Sequence, residues 1–274
     1  MKRMVKMELY RAFHGKGFVV SMLLGAMLAL EHFIFRVLPA TENMFTGYHP
    51  DVASSIIGNL HGSWMGGMIN AEINIYQMIV FLLVVIPYAG SYYTDKKSGI
   101  IKNISTRGQK KHYLFAKSIA VFITSGVVAL FPLILNLMLS SMVMPLVEYD
   151  WFQLPAITAL FKKTSVNNIL LYYFMFGIVI FVFAGLVGGL ALTISLYANN
   201  LFVVLSLPFL LCIVSSRLVV YSGNAIFRGM AINKMFYMPQ SSPTTYCSMG
   251  ILLVALLFMG YVFFNIKGAR CDVL

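Results

Sequence analysis

Side chains able to do chemistry are sparse in this chain, and they do not assemble into the patterns that catalysis needs. The nine acids are scattered, and none sits inside the apolar runs that follow the first, where an intramembrane hydrolase would gather its ionisable groups. No Gly-x-Ser-x-Gly elbow and no His-Glu-x-x-His pair occurs. Gly15-Lys16 is followed by Gly17 rather than by Ser or Thr, and no GxxxxGK[ST] loop exists, so the chain carries no phosphate-binding Walker site. His49, Asp51 and His61 invite a metal, yet their spacing matches no recognised zinc pattern and suits solvated loop residues. Cys212, Cys247 and Cys271 are far apart and form no CxxC. The expectation is a protein that is no enzyme, with no catalytic residue, no metal and no cofactor of its own.

What the chain does concentrate is positive charge. Between Ser91 and Lys117 stand Lys96, Lys97, Lys102, Arg107, Lys110, Lys111 and Lys117 against a single acid, Asp95. Apolar runs flank this stretch on both sides. Inside it, Ser98 is placed to cap a short helix, Ile100, Ile101 and Ile104 fall at helical spacing on one face, and Gly108 suits the stop. Basic loops between membrane helices ordinarily set topology. An apolar helical face is not needed for that, and it points to docking on something beyond the membrane.

The elements that position this stretch follow from composition. Hydrophobic residues make up 59% of the 274 and charged residues only 11%, less than half the share in an ordinary soluble domain. This is a polytopic membrane protein in a single domain, 1–274. Its net charge of +11 does not imply nucleic acid, because the cations flank apolar runs, where they orient helices. Residues 1–16 read as an amphipathic interfacial helix, with Met4, Met7, Tyr10 and Arg11 near helical spacing and Leu9 and Phe13 adding apolar area. The apolar run that follows lacks a small-residue cleavage site, so it reads as a retained helix.

Six spans fit the hydropathy: Gly17–Leu38, Ile73–Tyr93, Tyr113–Met142, Ile169–Ser195, Leu201–Tyr221 and Thr245–Ile266. Pro87 is placed to kink the second just before the basic loop, and Pro132 and Asn136 lie inside the third. Ala184, Gly185, Gly188 and Gly189 form small-xxx-small patterns in the fourth, a packing signal. Glu31 and His32 in the first span and Arg217 in the fifth fall at similar depth and are candidates for the edge of a translocation pathway. Residues 39–72 lack Lys and Arg and read as a solvated outer loop; Tyr149, Trp151 and Phe152 read as headgroup-level aromatics. Segment 222–244 is too apolar for a plain loop and suits backbone dipping into the membrane under cover of protein or a watery cavity. The segments 1–16, 94–117 and 267–274 carry most of the 20 Lys and Arg, which places them, and both termini, in the cytoplasm.

The run Asp95-Lys96-Lys97-Ser98-Gly99-Ile100-Ile101-Lys102-Asn103-Ile104, with Arg107 and Lys117 after it, resembles a segment of the ABC-2 type permeases. Asp95 stands where many members carry Glu, and Gly108 where many carry Pro. The resemblance implies an elbow helix at 1–16, six transmembrane helices, a cytoplasmic coupling helix within 94–117 and a re-entrant outer gate at 222–244. It implies that Asp95, Ser98, Gly99, Ile100, Ile101, Lys102, Ile104, Arg107 and Lys117 couple to an ATPase subunit. The partners implied are that ATPase, which would hold ATP and Mg, and a second permease subunit, identical or homologous, in the cytoplasmic membrane. Size and Met- and Phe-rich spans are similar to small permeases that export antimicrobial or amphipathic peptides; a lipid or a hydrophobic drug is equally compatible. The competing expectation is a membrane anchor, sensor or assembly factor that transports nothing.

Overall fold

The computed structural model describes residues 1–41, 60–65, 71–106, 110–146, 168–221 and 243–270, which form helices and short turns with no strand among them. Some side chains within the helices, Arg217 among them, lie outside the described set, as do His49, Asp51, Arg107, Gly108, the aromatics of 149–152 and the segment 222–242. The order is α1 (Lys2–Phe13), α2 (Lys16–His32, continued by a π-helical turn at Phe33–Val37), α3 (Leu60–Ser63), α4 (Ala71–Val85), α5 (Ser91–Lys97), α6 (Ile100–Thr106), α7 (Lys110–Ser141), α8 (Ile169–Tyr197), α9 (Leu201–Tyr221) and α10 (Pro243–Arg270). Three segments, Lys16–Thr41, Lys110–Ser141 and Ile169–Tyr197, are long and apolar enough to cross a bilayer, which marks an all-α membrane protein.

The long helix α7 is the axis of the fold, packed by α8, α2, α1, α10 and α4. Small residues let the backbones close on it. On α2 the buried stripe is Ser21, Gly25 and Ala29, one helical turn apart, while Leu23 and Met27 face outward. A Cβ on Gly25 would already touch the ring of Pro132, so the proline inside α7 has a fitted groove opposite it. On α8 a Cβ at Gly185 would strike Phe122, at Gly188 Ser125 and Val121, and at Gly189 the Tyr261 ring of α10. Ala184 is buried beside them. Without side chains at these positions, α8 is wedged between α7 and α10, and the Tyr261 hydroxyl donates to the Gly185 carbonyl.

Two expectations about connections are corrected. Pro87 does not kink a continuous helix. Helix α4 ends at Val85, residues 86–90 form turns, and α5 starts afresh at Ser91. A proline there lacks the N–H that would carry the ladder onward, and the break aims Tyr88 into the protein. The described side chains of 60–65 are not solvated, and that of His61 lies outside the described set. Leu60, Trp64 and Met65 are buried, with Trp64 edge-on to Tyr173 and Phe176 of α8 and its indole N–H donating to the Leu133 carbonyl at 3.0 Å.

Candidate functional site

Helix α1 carries one acid, Glu8, on an otherwise basic and apolar segment. Glu8 and Ala12 form its buried face, with Met4 and Leu9 packed beside them, whereas Met7 and Tyr10 point outward. The face seated on the protein is therefore centred on a carboxylate and not on the apolar residues expected from the sequence. The helix packs chiefly on α7.

Glu8 meets the one acid of the basic stretch, Asp95 on α5, across two cations. The Arg11 guanidinium donates to both Asp95 oxygens, at 2.8 Å (Oδ1) and 3.3 Å (Oδ2), and to Glu8 Oε1 at 2.9 Å. Lys117 Nζ, on α7, donates to Asp95 Oδ2 and lies 3.4 Å from Glu8 Oε2. The Tyr88 hydroxyl donates to Glu8 Oε2 at 2.6 Å, and that of Tyr113 to Asp95 Oδ2 at 2.6 Å. The Lys117 ammonium also lies over both rings, 5.2 Å from the Tyr88 centroid and 4.9 Å from that of Tyr113.

Glu8, Asp95 and Lys117 are all buried, and only Arg11 reaches solvent. Two carboxylates balance two cations, so the cluster is neutral as a whole. Charges withdrawn from water persist only when paired and hydrogen-bonded, and here Asp95 accepts four hydrogen bonds, one at Oδ1 and three at Oδ2. Burial alone would raise the Asp95 carboxyl, but the Arg11 hydrogen bonds, the Lys117 charge and the Lys117 and Tyr113 hydrogen bonds outweigh it and hold the group below its ordinary value. The Arg11 guanidinium is raised above its own, first by its hydrogen bond to Asp95. The cluster is neutral, and each charge in it meets an opposite charge. It is a clamp joining α1, α5 and α7 at one point. Helix α5 is tied further to the end of α8 and the turn after it, through Lys96 Nζ donating to the Leu196 carbonyl at 3.3 Å and Tyr93 Oη to the Asn199 carbonyl at 2.9 Å.

The clamp carries α6. Gly99, at φ +77°, reverses the chain between α5 and α6; a Cβ there would meet nothing, so the backbone conformation is what calls for glycine. Ser98 does not cap α6 as expected. It closes α5, its hydroxyl donating to the Asp95 carbonyl at 3.3 Å. Nor do the three isoleucines share one exposed face. Ile101 is 0% exposed and Ile104 is half-buried against the core, while Ile100 is 38% exposed beside the exposed Lys102 and Asn103. Ile101 and Ile104 stand three residues apart on the inner face, and Ile100 shares the outer face with Asn103. Of the residues grouped by the sequence, then, Asp95, Lys117 and Ile101 are interior, and Ile100 and Lys102 are available to a partner.

Of the pathway candidates, the structure describes the side chains of Glu31 and His32. Glu31 is exposed, and the Arg217 side chain is outside the described set. His32 is buried, its Nδ1 3.1 Å from Asn136 Nδ2, at the start of the π-helical turn. The Asn136 amide also donates to the Ala29 carbonyl at 3.2 Å, and its oxygen accepts the Met65 N–H at 3.0 Å. Asn136 thus knots α2, α7 and the 60–65 segment together. No group of three or more His, Cys, Asp or Glu side chains is placed to hold a metal among the described residues.

Sequence reasoning missed Glu8, Tyr88 and Tyr113, and placed Arg11 only as part of the interfacial helix. The available signal was minority sign: each of two strongly basic segments holds one acid, and each acid stands within a turn or so of an apolar face. Compared with known proteins, the chain matches no family model, no curated protein and no solved structure.

Proposed function

We propose that this chain is the membrane subunit of an ATP-driven exporter of the ABC-2 type, with α6 as the helix that seats on a separate ATPase. The observation that carries this reading is an amphipathic α6 with one face exposed, following α5, which a buried ion cluster holds to α1 and α7. Such a linkage suits the transfer of a push from outside the membrane to the spans, because α6 packs its inner face on the core and is joined directly to the clamped α5. Ile100, Asn103 and Lys102 make the contact; Ile101 and Ile104 anchor the helix; Asp95 and Lys117 act as positioning residues. ATP and Mg belong to the partner. In this reading the chain has six spans, α1 is the interfacial elbow, both termini are cytoplasmic, 222–244 forms an outer gate, and a second permease subunit completes the pathway. The cargo is amphipathic or hydrophobic, in keeping with a chain whose outward surfaces are so apolar.

The test is purification of the tagged full chain in mild detergent together with its ATPase. Covering the 38% of Ile100 that is exposed is worth about 0.6–1.1 kcal/mol, and a carboxylate buried there without a partner costs more, so Ile100→Asp should cut co-purification at least tenfold, with the chain still folded and inserted. Undiminished ATPase in the Ile100→Asp preparation contradicts the assignment. Ile100→Asp is a cleaner probe than Ile104→Asp, because Ile104 also packs against the chain's own core.

A further inference from the structure

A groove of about 640 Å³ opens where the start of α7 meets the end of α10 and the first residue of the chain. Among the described residues its lining is Met1, Lys111, His112, Phe115, Asn265, Ile266 and Ala269, none of them acidic. Lys111, His112, Phe115 and Ile266 are exposed. Lys111 lies in the first turn of α7 and Phe115 one turn further along the apolar helix, on the same face. The groove therefore changes from cationic to apolar along the span axis. The two amide protons of Asn265 are engaged by Ser118 Oγ at 3.1 Å and the Tyr261 carbonyl at 2.9 Å, so this residue can offer the groove only its carbonyl oxygen.

We infer that this groove binds an anionic phospholipid, its phosphodiester on Lys111 and His112 and the head of an acyl chain on Phe115 and Ile266. A free anion would satisfy Lys111 and leave the aromatic and isoleucine surfaces bare. A zwitterionic lipid would satisfy the apolar part and bring an ammonium to Lys111. Only a lipid with net negative charge matches both halves, and a headgroup hydroxyl gives Asn265 its donor. Basic pockets between membrane helices are the places where such headgroups bind. The inference rests on the chain lying in a bilayer and is independent of the transport reading.

Native mass spectrometry of the detergent-solubilised full chain tests it, with phosphatidylglycerol, phosphatidylcholine and glycerol phosphate as probes. Each cation near the surface contributes about 1 kcal/mol toward anionic lipid, or about fivefold. Phosphatidylglycerol should bind at least fivefold tighter than phosphatidylcholine. Lys111→Gln should weaken phosphatidylglycerol about fivefold and leave phosphatidylcholine unchanged, whereas Phe115→Ser weakens both. Lys16→Gln, which removes an exposed cation that does not line the groove, should change neither. Equal binding of the two lipids, equal losses in Lys111→Gln and Lys16→Gln, or displacement of the lipid by glycerol phosphate at equal concentration would each overturn the assignment.

Discussion

Replacing Asp95 by Asn puts the clamp under the most direct stress. The substitution keeps the shape of the side chain and removes one charge from a cluster in which Glu8, Asp95 and Lys117 are buried. Arg11 and Lys117 are then opposed by Glu8 alone, and the amide nitrogen of the new side chain is a donor placed among donors. Breaking a buried pair by neutralising one partner costs about 3–5 kcal/mol, mostly from the stranded charge. Unfolding in mixed micelles with rising dodecyl sulfate, followed by tryptophan fluorescence, should show a loss of that size. Adding Lys117→Met to Asp95→Asn restores neutrality, leaving Glu8 and Arg11 as a pair, and should recover more than half of the loss. Lys97→Gln, an exposed neighbour, should stay within about 0.5 kcal/mol of the unmodified chain. A loss below about 1 kcal/mol in Asp95→Asn, or losses that simply add in the double variant, would refute the account of the clamp.

Other outcomes follow from the same geometry. Because the Asp95 carboxyl is held below its ordinary value, the folded state binds fewer protons than the unfolded one. Its contribution is therefore complete above the unfolded carboxyl value of about 3.9 and is lost as pH falls through the lower folded value; an acid titration of unfolding should show a shallower fall for Asp95→Asn. Gly189→Ala drives a methyl into Tyr261 and should cost about 1–3 kcal/mol. Gly177→Ala, whose Cβ meets Leu130 at an ordinary 3.7 Å, should be neutral or slightly stabilising in the same assay. A cysteine at the exposed Thr106, in a background without native cysteines, should react with an impermeant maleimide only after the membrane is opened, and one at Gly47 should react from outside; labelling of Thr106 in intact cells reverses the orientation.

Much of the helical plan was legible because helices in lipid must satisfy their own backbone bonds and hide few charges. The segments of α2, α7 and α8 follow from apolar length, and the glycine spacing in α8 announced close packing. The buried stripe Ser21, Gly25, Ala29 was overlooked because the larger apolar residues between them drew the eye, and those face outward. The clamp was half-visible. Asp95 and Lys117 stood out as chemistry-bearing residues, but their burial depends on Glu8, more than eighty positions earlier in the chain, and no local period reports a contact of that range. The α6 face was misjudged for a simpler reason. Ile100, Ile101 and Ile104 span about 100° of one helix face, and their spacing does not say which edge of that face the core covers; it took Ile101 and Ile104 and left Ile100 at the rim.

The central claim is that the outer face of α6 rests on a nucleotide-hydrolysing subunit. A photo-crosslinking amino acid in place of Asn103, in the full chain in its native membrane, tests this most directly. The account predicts a single major adduct whose partner peptides include a GxxxxGK[ST] loop, lost when Ile100→Asp is added. A chain that labels only lipid at that position, or an adduct whose partner lacks any phosphate-binding loop, contradicts it.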